Sequence, residues 1–331
     1  MSQTRRKSRF WMYAPFILLA ILMAAYSAYW FVMRGELEKG IDDWIDEQRA
    51  AGIEISFSEK RLDGFPFRFA LALDDPVYSE PGDGLSWGGE QLQLVMQPWN
   101  WNHVLGRSVG ANVIETSGGE FDVQLGSKSV GSLSWDETSI RRISIVLDEA
   151  DISLGGAPFG KLEDFALHLR PASDNADTLQ IVAEWQAIHM EQALTETLAV
   201  LGNDLQPSLM QVELTEAFPV INSSAGLSDW HGRVKIARML LNWGPAKIGM
   251  KGDFSLDGCG VPEDGNLQVR LDDVPALRSV MHEARMLDLQ GEVGLSTLEG
   301  ESKDGGFAKF TFRDGGMNYL GFQVIDLPQG C

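Results

Sequence analysis

Five histidines, His103, His168, His189, His231 and His282, are the residues of this 331-residue chain best suited to metal or acid–base chemistry. None has a second histidine four residues on, the spacing with which one helix face grips zinc. His282-Glu283 opens an HExxH pattern, but Met286 stands at the second ligand position, so His282 reads as a structural residue on a helix surface. The closest approach to a serine nucleophile is Ser127-Lys128-Ser129-Val130-Gly131. It has serine where a GxSxG elbow needs its first glycine, and it lies between short strands, so it reads as a turn. Gly126 to Gly131 lacks a Gly-Lys pair and makes no phosphate loop.

Carboxylates cluster at Asp74-Asp75, at Asp148-Glu149 with Asp151, at Asp174 with Asp177, and at Asp272-Asp273. None follows the calcium-loop register with its central glycine and final glutamate, so they read as solvated loop charges. A glycosidase-type pair is recognised only by its separation in space, which leaves a spatially assembled hydrolase as the least favoured reading. The expectation is a non-enzymatic protein with no catalytic residue, no cofactor and no metal. Cys259 and Cys331 are the two cysteines. Without a CxxC pair they support neither redox catalysis nor a zinc knuckle. An export compartment permits a bridge between them, which would stabilise by up to about 4 kcal/mol by closing so long a loop. A buried thiol at 259 with a frayed one at 331 is the alternative, since spacing does not bring two Cα atoms within reach.

The elements that carry these residues begin with an apolar one. Residues 10–33, FWMYAPFILLAILMAAYSAYWFVM, contain no charge and match the roughly 20 residues that cross a bilayer. Arg5, Arg6, Lys7 and Arg9 precede the run, and Glu36, Glu38, Asp42, Asp43, Asp46 and Glu47 follow it. The positive-inside rule therefore predicts a cytoplasmic tail over 1–9, a transmembrane helix over 10–33 and the remainder across the membrane. Ala25 and Ser27 offer the rival reading of a cleaved signal peptide, but its apolar region is usually only about 7–15 residues long. Trp11, Tyr13, Tyr29 and Trp30 mark the two ends as interfacial belts do. The formal net charge is −20, and setting aside the four basic residues before the run leaves −24. Nucleic-acid binding, which depends on neutralising phosphates, is excluded as a function class. Such a domain also avoids lying flat on an anionic membrane.

Residues 34–52 read as an amphipathic connecting helix, with Leu37, Ile41, Trp44, Ile45 and Gln48 on one stripe and Gly52 at its end. From 53 to 331 the period changes to two. Phe65, Phe67, Phe69, Leu71 and Leu73 alternate with Pro66, Arg68, Ala70, Ala72 and Asp74. The pattern repeats at Phe121-Val123-Leu125, Ile143-Ile145-Leu147, Phe165-Leu167-Leu169 and Leu267-Val269-Leu271. Each predicts a strand with one apolar and one wet face, as in antiparallel sheets. Helical spacing appears at His189–Leu205 and again after Pro275. A division into halves is expected near 202–230. The Pro98–His103 segment, rich in tryptophan, reads as a buried corner, because tryptophans are highly buried on average.

Several segments together resemble a known family: Leu62-Asp63-Gly64-Phe65-Pro66-Phe67-Arg68-Phe69, Trp99 to Leu105 (WNWNHVL), Leu241-Asn242-Trp243-Gly244-Pro245, and Gly252 to Gly258 (GDFSLDG). With the anchor and connecting helix they resemble the DUF2125 proteins of alphaproteobacteria and, more distantly, the AsmA-like envelope proteins. The nearer resemblance implies a bacterial inner-membrane, single-pass protein with its bulk in the periplasm, and it transfers no activity or site. The distant one implies β-rich grooves with apolar interiors that handle lipid between membranes. This chain is much shorter than the long bridging members of that group.

The expected fold is mainly β: the N-terminal transmembrane helix, then a curved antiparallel sheet, groove-like or barrel-like, with two or three amphipathic helices. Two helices cannot hide so many one-sided strands, so the sheet either curls on itself or leaves a lined groove. Phe65, Phe67, Phe69, Phe121, Val123, Ile143, Ile145, Phe165 and Leu167 are the candidate groove residues. The expected function is binding of lipid or acyl chains, or help in envelope assembly. The alternative is a closed scaffold that recruits other envelope proteins.

Overall fold

The computed structural model describes residues 10–80, 82, 84–137, 139–191, 198–221, 230–257, 260–287, 289–313 and 316–326. The basic tail, Cys259 and Cys331 lie outside them, as does the expected bridge. α1 (Phe10–Ala50) is one continuous helix of 41 residues, joining the apolar run to the connecting helix. At about 1.5 Å per residue it is roughly 60 Å long. Gly52, at φ +91°, ends it in the left-handed conformation that glycine adopts without strain.

The strands follow in a meander. First come β1 (Glu54–Ser56), β2 (Glu59–Asp63), β3 (Phe69–Asp74), β4 (Val77–Glu80), β5 (Leu85–Gln97) and β6 (Asn100–Thr116). The middle holds β7 (Gly119–Leu125), β8 (Val130–Trp135), β9 (Ile140–Leu154), β10 (Ala157–Pro171), β11 (Leu179–Trp185) and β12 (Ala187–Met190). β13 (Asp204–Leu205) and β14 (Ser208–Leu214) precede the short α2 (Ala217–Ile221). β15 (Arg233–Trp243), β16 (Ala246–Leu256) and β17 (Pro262–Asp272) lead to α3 (Val274–Glu283) and α4 (Leu289–Ser302). The last hairpins are β18 (Ala308–Arg313), β19 (Gly316–Tyr319) and β20 (Phe322–Asp326).

All twenty strands of the described residues belong to one antiparallel sheet, ordered in space almost as in sequence. Long strands alternate with levels made of two short ones. β6 pairs with both β7 and β8, each of which pairs with β9. β10 then pairs with both β11 and β12. β14 pairs directly with β15, so the ladder crosses the 202–230 region without a break. At about 4.8 Å per level the sheet extends roughly 65 Å from β2 to β20. Among the described residues these two outermost strands do not pair with each other, so the sheet is open and not a closed barrel. Register shifts at Gly89/Gln91, Pro158/Gly160, Gln211/Val212 and Ile236/Met239 bend the strands, as bulges do.

Three readings of the sequence are corrected. The strand expected over 65–73 begins only at Phe69. Phe65 and Phe67 sit in a turn because Gly64, at φ +108°, reverses the chain and Arg68 N donates to Gly64 O at 3.1 Å. The helix expected over 189–205 is absent among its described residues: His189 lies in β12, Leu205 in β13, and only Leu198–Leu201 makes a 3-10 turn. There the ladder to β10 and the Met190 N to Asn203 O bond outweigh a helical spacing of apolar residues. At the Pro98–His103 corner, Pro98 is buried and Trp101 packs against Phe69, but Trp99 is 62% exposed. The expected helix after Pro275 is α3, while α2 and α4 had no clear sequence signal. α4 carries three glycines and no apolar stripe.

Candidate apolar groove

Partners across an antiparallel ladder point their side chains to the same side of the sheet. One register row begins Leu62, Leu71, Leu94, Gly106, Gly131, Ile145 and Leu167. It continues through Ala183, Met210, Met239, Met250, Val269 and Ala308. A second row on the same face runs Phe69, Met96, Val104, Leu133, Ile143 and Leu169. It goes on through Ile181, Val212, Ile236, Gly252, Leu267, Phe310 and Tyr319. Apart from the Tyr319 hydroxyl, neither row contains a polar side chain. The opposite face carries Arg170, Gln180, Glu213, Lys235, Asp253, Asn266, Thr311 and Asn318 in register. Those side chains bond along their own row. Arg170 Nε donates to Gln180 at 2.9 Å, and Lys235 Nζ donates to Glu213 at 2.8 Å. The Glu213 hydrogen bond holds Lys235 above the usual lysine range.

Helices cover the apolar face only in places. At the β2–β3 edge, α1 packs Trp30, Met33, Leu37 and Ile41 over Leu62, Phe69, Leu71 and Leu73. In α2, Ala217 and Phe218 cover Leu179, with Ile181 and Leu214 beside them. At the far end, Leu277 of α3 and Leu295 of α4 cover Ala246 and Leu271. Between the first two lies the stretch of β6, β8, β9 and β10, where Ile145 is 37% exposed and Ile143, Phe165 and Leu167 are half-buried. Beside Ile145 the row has two glycines, and there a shallow depression of about 250 Å³ is lined by Leu92, Gly106, Leu125, Gly131, Ile145 and Leu147. A Cβ on Gly106 would come within 2.9 Å of Leu94 Cδ2.

The candidate residues therefore divide. Phe69, Ile143, Ile145, Phe165 and Leu167 share the apolar face. Phe121 and Val123 alternate in step with Leu125, which lines the depression, so they join that face from β7. Phe65 and Phe67 do not, and they stand at the edge beside α1. Sequence reasoning placed Trp30 in an interfacial belt, whereas it is buried in the first core, and it missed Met210, Met239 and Met250; the alternation of the later strands was the signal for the three methionines. The histidines fall on separate elements, His189 bonded to Asp204 at 2.7 Å and His282 paired with Glu292. Among the described residues no three His, Cys, Asp or Glu side chains are grouped to hold a metal.

The comparisons with known proteins bear on the whole of this arrangement. The DUF2125 family, described as uncharacterized protein conserved in bacteria, matches residues 30–328. The chain belongs to the DUF2125 family. The DUF2125 match opens at Trp30, which is buried, and runs through the sheet to β20. No curated protein and no solved structure matches the chain. The part of α1 before Trp30 is long and apolar enough, with the turns that follow, to serve as a membrane anchor, and only 6% of its most apolar window is buried.

Proposed function

We propose that this DUF2125 protein is a non-enzymatic, single-pass protein of the bacterial inner membrane, with its N-terminus cytoplasmic and its sheet in the periplasm, and that the apolar face binds acyl chains of lipids. The observation that carries this reading is the unbroken apolar row from Leu62 to Ala308, left without a covering helix at Ile145. A soluble sheet does not leave such a face to water unless something apolar lies on it. Met210, Met239 and Met250 stand side by side in that row, and their flexible thioethers suit chains of varying shape. The resemblance to AsmA-like proteins supports the same reading, as do the basic residues before α1 and the acidic ones after the apolar run. The scaffold alternative required a closed sheet, and no ladder joins β2 to β20 among the described residues.

A photoreactive benzophenone side chain at Ile143, in the full chain in its own membranes, tests the reading. We expect a phospholipid adduct on irradiation, and its loss when Ile145→Glu places a carboxylate in the path. Circular dichroism of Ile145→Glu should be unchanged, because the partly open position lets the carboxylate keep its water. No adduct at Ile143, or an unfolded Ile145→Glu chain, would count against a groove.

A further inference from the structure

The turn that the sequence disguised as a strand stands at the level of the membrane anchor. Tyr26 Oη donates to Pro66 O, Tyr29 Oη donates to Pro98 O at 3.0 Å, and Trp30 Nε1 donates to Arg68 O at 3.2 Å. Two separate turns of the sheet domain, 64–68 and 98–99, are thereby pinned to one helical turn of α1. A hydrocarbon core of about 30 Å takes roughly 20 helical residues, so a span beginning with α1 at Phe10 ends near residue 30. The three hydrogen bonds fall at that depth.

Both turns point large aromatic rings away from the protein. Phe67 is 70% exposed, and Phe65, Trp99 and the neighbouring Phe31 of α1 are also exposed. Phe31 and Phe65 stack at 5.6 Å, which makes helix and turn one continuous apolar surface. Arg68 is exposed beside them, and Arg34 follows one helical turn beyond Trp30. Exposed aromatic rings with an arginine beside them are the composition of a membrane interface. The rest of the domain is strongly acidic, so an anionic bilayer accepts this edge and repels the others.

We propose that Phe65, Phe67 and Trp99 insert into the outer boundary of the same bilayer that α1 spans, seating the β2–β3 edge of the sheet on the membrane with Arg68 at the phosphates. The proposal rests on the anchor and not on lipid held along the sheet.

Nitroxide labels test it in the full chain reconstituted into phosphatidylcholine–phosphatidylglycerol vesicles, in a Cys259→Ser, Cys331→Ser background. Three exposed positions are compared: Leu18→Cys in the apolar part of α1, Phe67→Cys, and Leu320→Cys at the opposite end of the sheet. Phe67 and Leu320 are almost equally exposed, at 70% and 77%. The label at Phe67→Cys should favour oxygen over a water-soluble nickel complex several-fold more than the one at Leu320→Cys, and approach Leu18→Cys. A Phe67→Cys label as aqueous as Leu320→Cys, with Leu18→Cys in lipid, overturns the seating and leaves the anchor standing. Leu18→Cys in water overturns both. A label at Trp99→Cys repeats the comparison on the second turn.

Discussion

Gly64 decides where a strand does not form. Its φ of +108° lies where side chains are strained, and a Cβ there would stand 2.7 Å from both Arg68 O and Arg68 Cγ. Gly64→Ala should therefore cost about 1–3 kcal/mol, read as a lowered denaturation midpoint. An unchanged midpoint would show that the turn relaxes freely. Asp148 supplies a second test at single-residue scale. Burial pushes its carboxyl up, but bonds from Ser129 Oγ at 2.9 Å and Lys128 N at 3.2 Å bring it below the usual value of 3.8. A depressed folded value means that the stabilisation is present above the unfolded value and is lost as pH falls through the folded one. The difference in melting temperature between the wild type and Asp148→Asn should be greatest above about pH 4 and should shrink on further acidification. A difference that stays constant with pH would assign the effect to packing.

α1 is the element that joins two environments. Its N-terminal turns, up to about residue 25, are largely exposed, while Tyr26 and Tyr29 reach the sheet domain and Trp30, 1% exposed, enters the first core. Trp30 stacks on Phe69 at 5.2 Å and meets Phe65 edge-on at 5.4 Å, so one side chain holds helix, strand and turn together. Trp30→Ala should cost about 3–5 kcal/mol and expose the 64–68 turn to protease. A cost of the size seen for surface changes, within about 0.5 kcal/mol, would mean that α1 is only tethered and not docked. The stripe from Leu37 to Ile45 was readable as an amphipathic helix, and Ile45 is buried as that pattern requires. Trp44 on the same stripe is exposed, so only part of the predicted face is covered.

At the scale of the whole molecule, three separate small cores lie under α1, α2 and the α3–α4 pair. Among the described residues the strand ladders join only neighbouring levels, so one end can loosen while the other keeps its packing. Leu277→Ala, deep in the α3–α4 core, should speed amide exchange in β16, β17 and β18 and leave β3 and β5 unchanged. Equal acceleration throughout would show that the sheet unfolds as one unit.

The apolar run, its charged flanks, the change from helical to alternating period and the one-sided character of the strands were all legible in the chain. They depend on residues within a turn or two of one another, and side-chain period is a local property. The strands around Phe121, Ile143, Phe165 and Leu267 were found for that reason. The described ends of the helix expected over 189–205 and the strand at Phe65 were misread, because local spacing does not register a distant partner such as β10 or a reversal at one glycine. Which side chains line up in a row is a matter of register between segments far apart in sequence. Tertiary structure alone brought Met210, Met239 and Met250 together, left Ile145 uncovered and carried Phe67 to the level of the anchor. Hydrogen-bond ladders and the few helices available to cover them made those choices, and neither is written in any one segment.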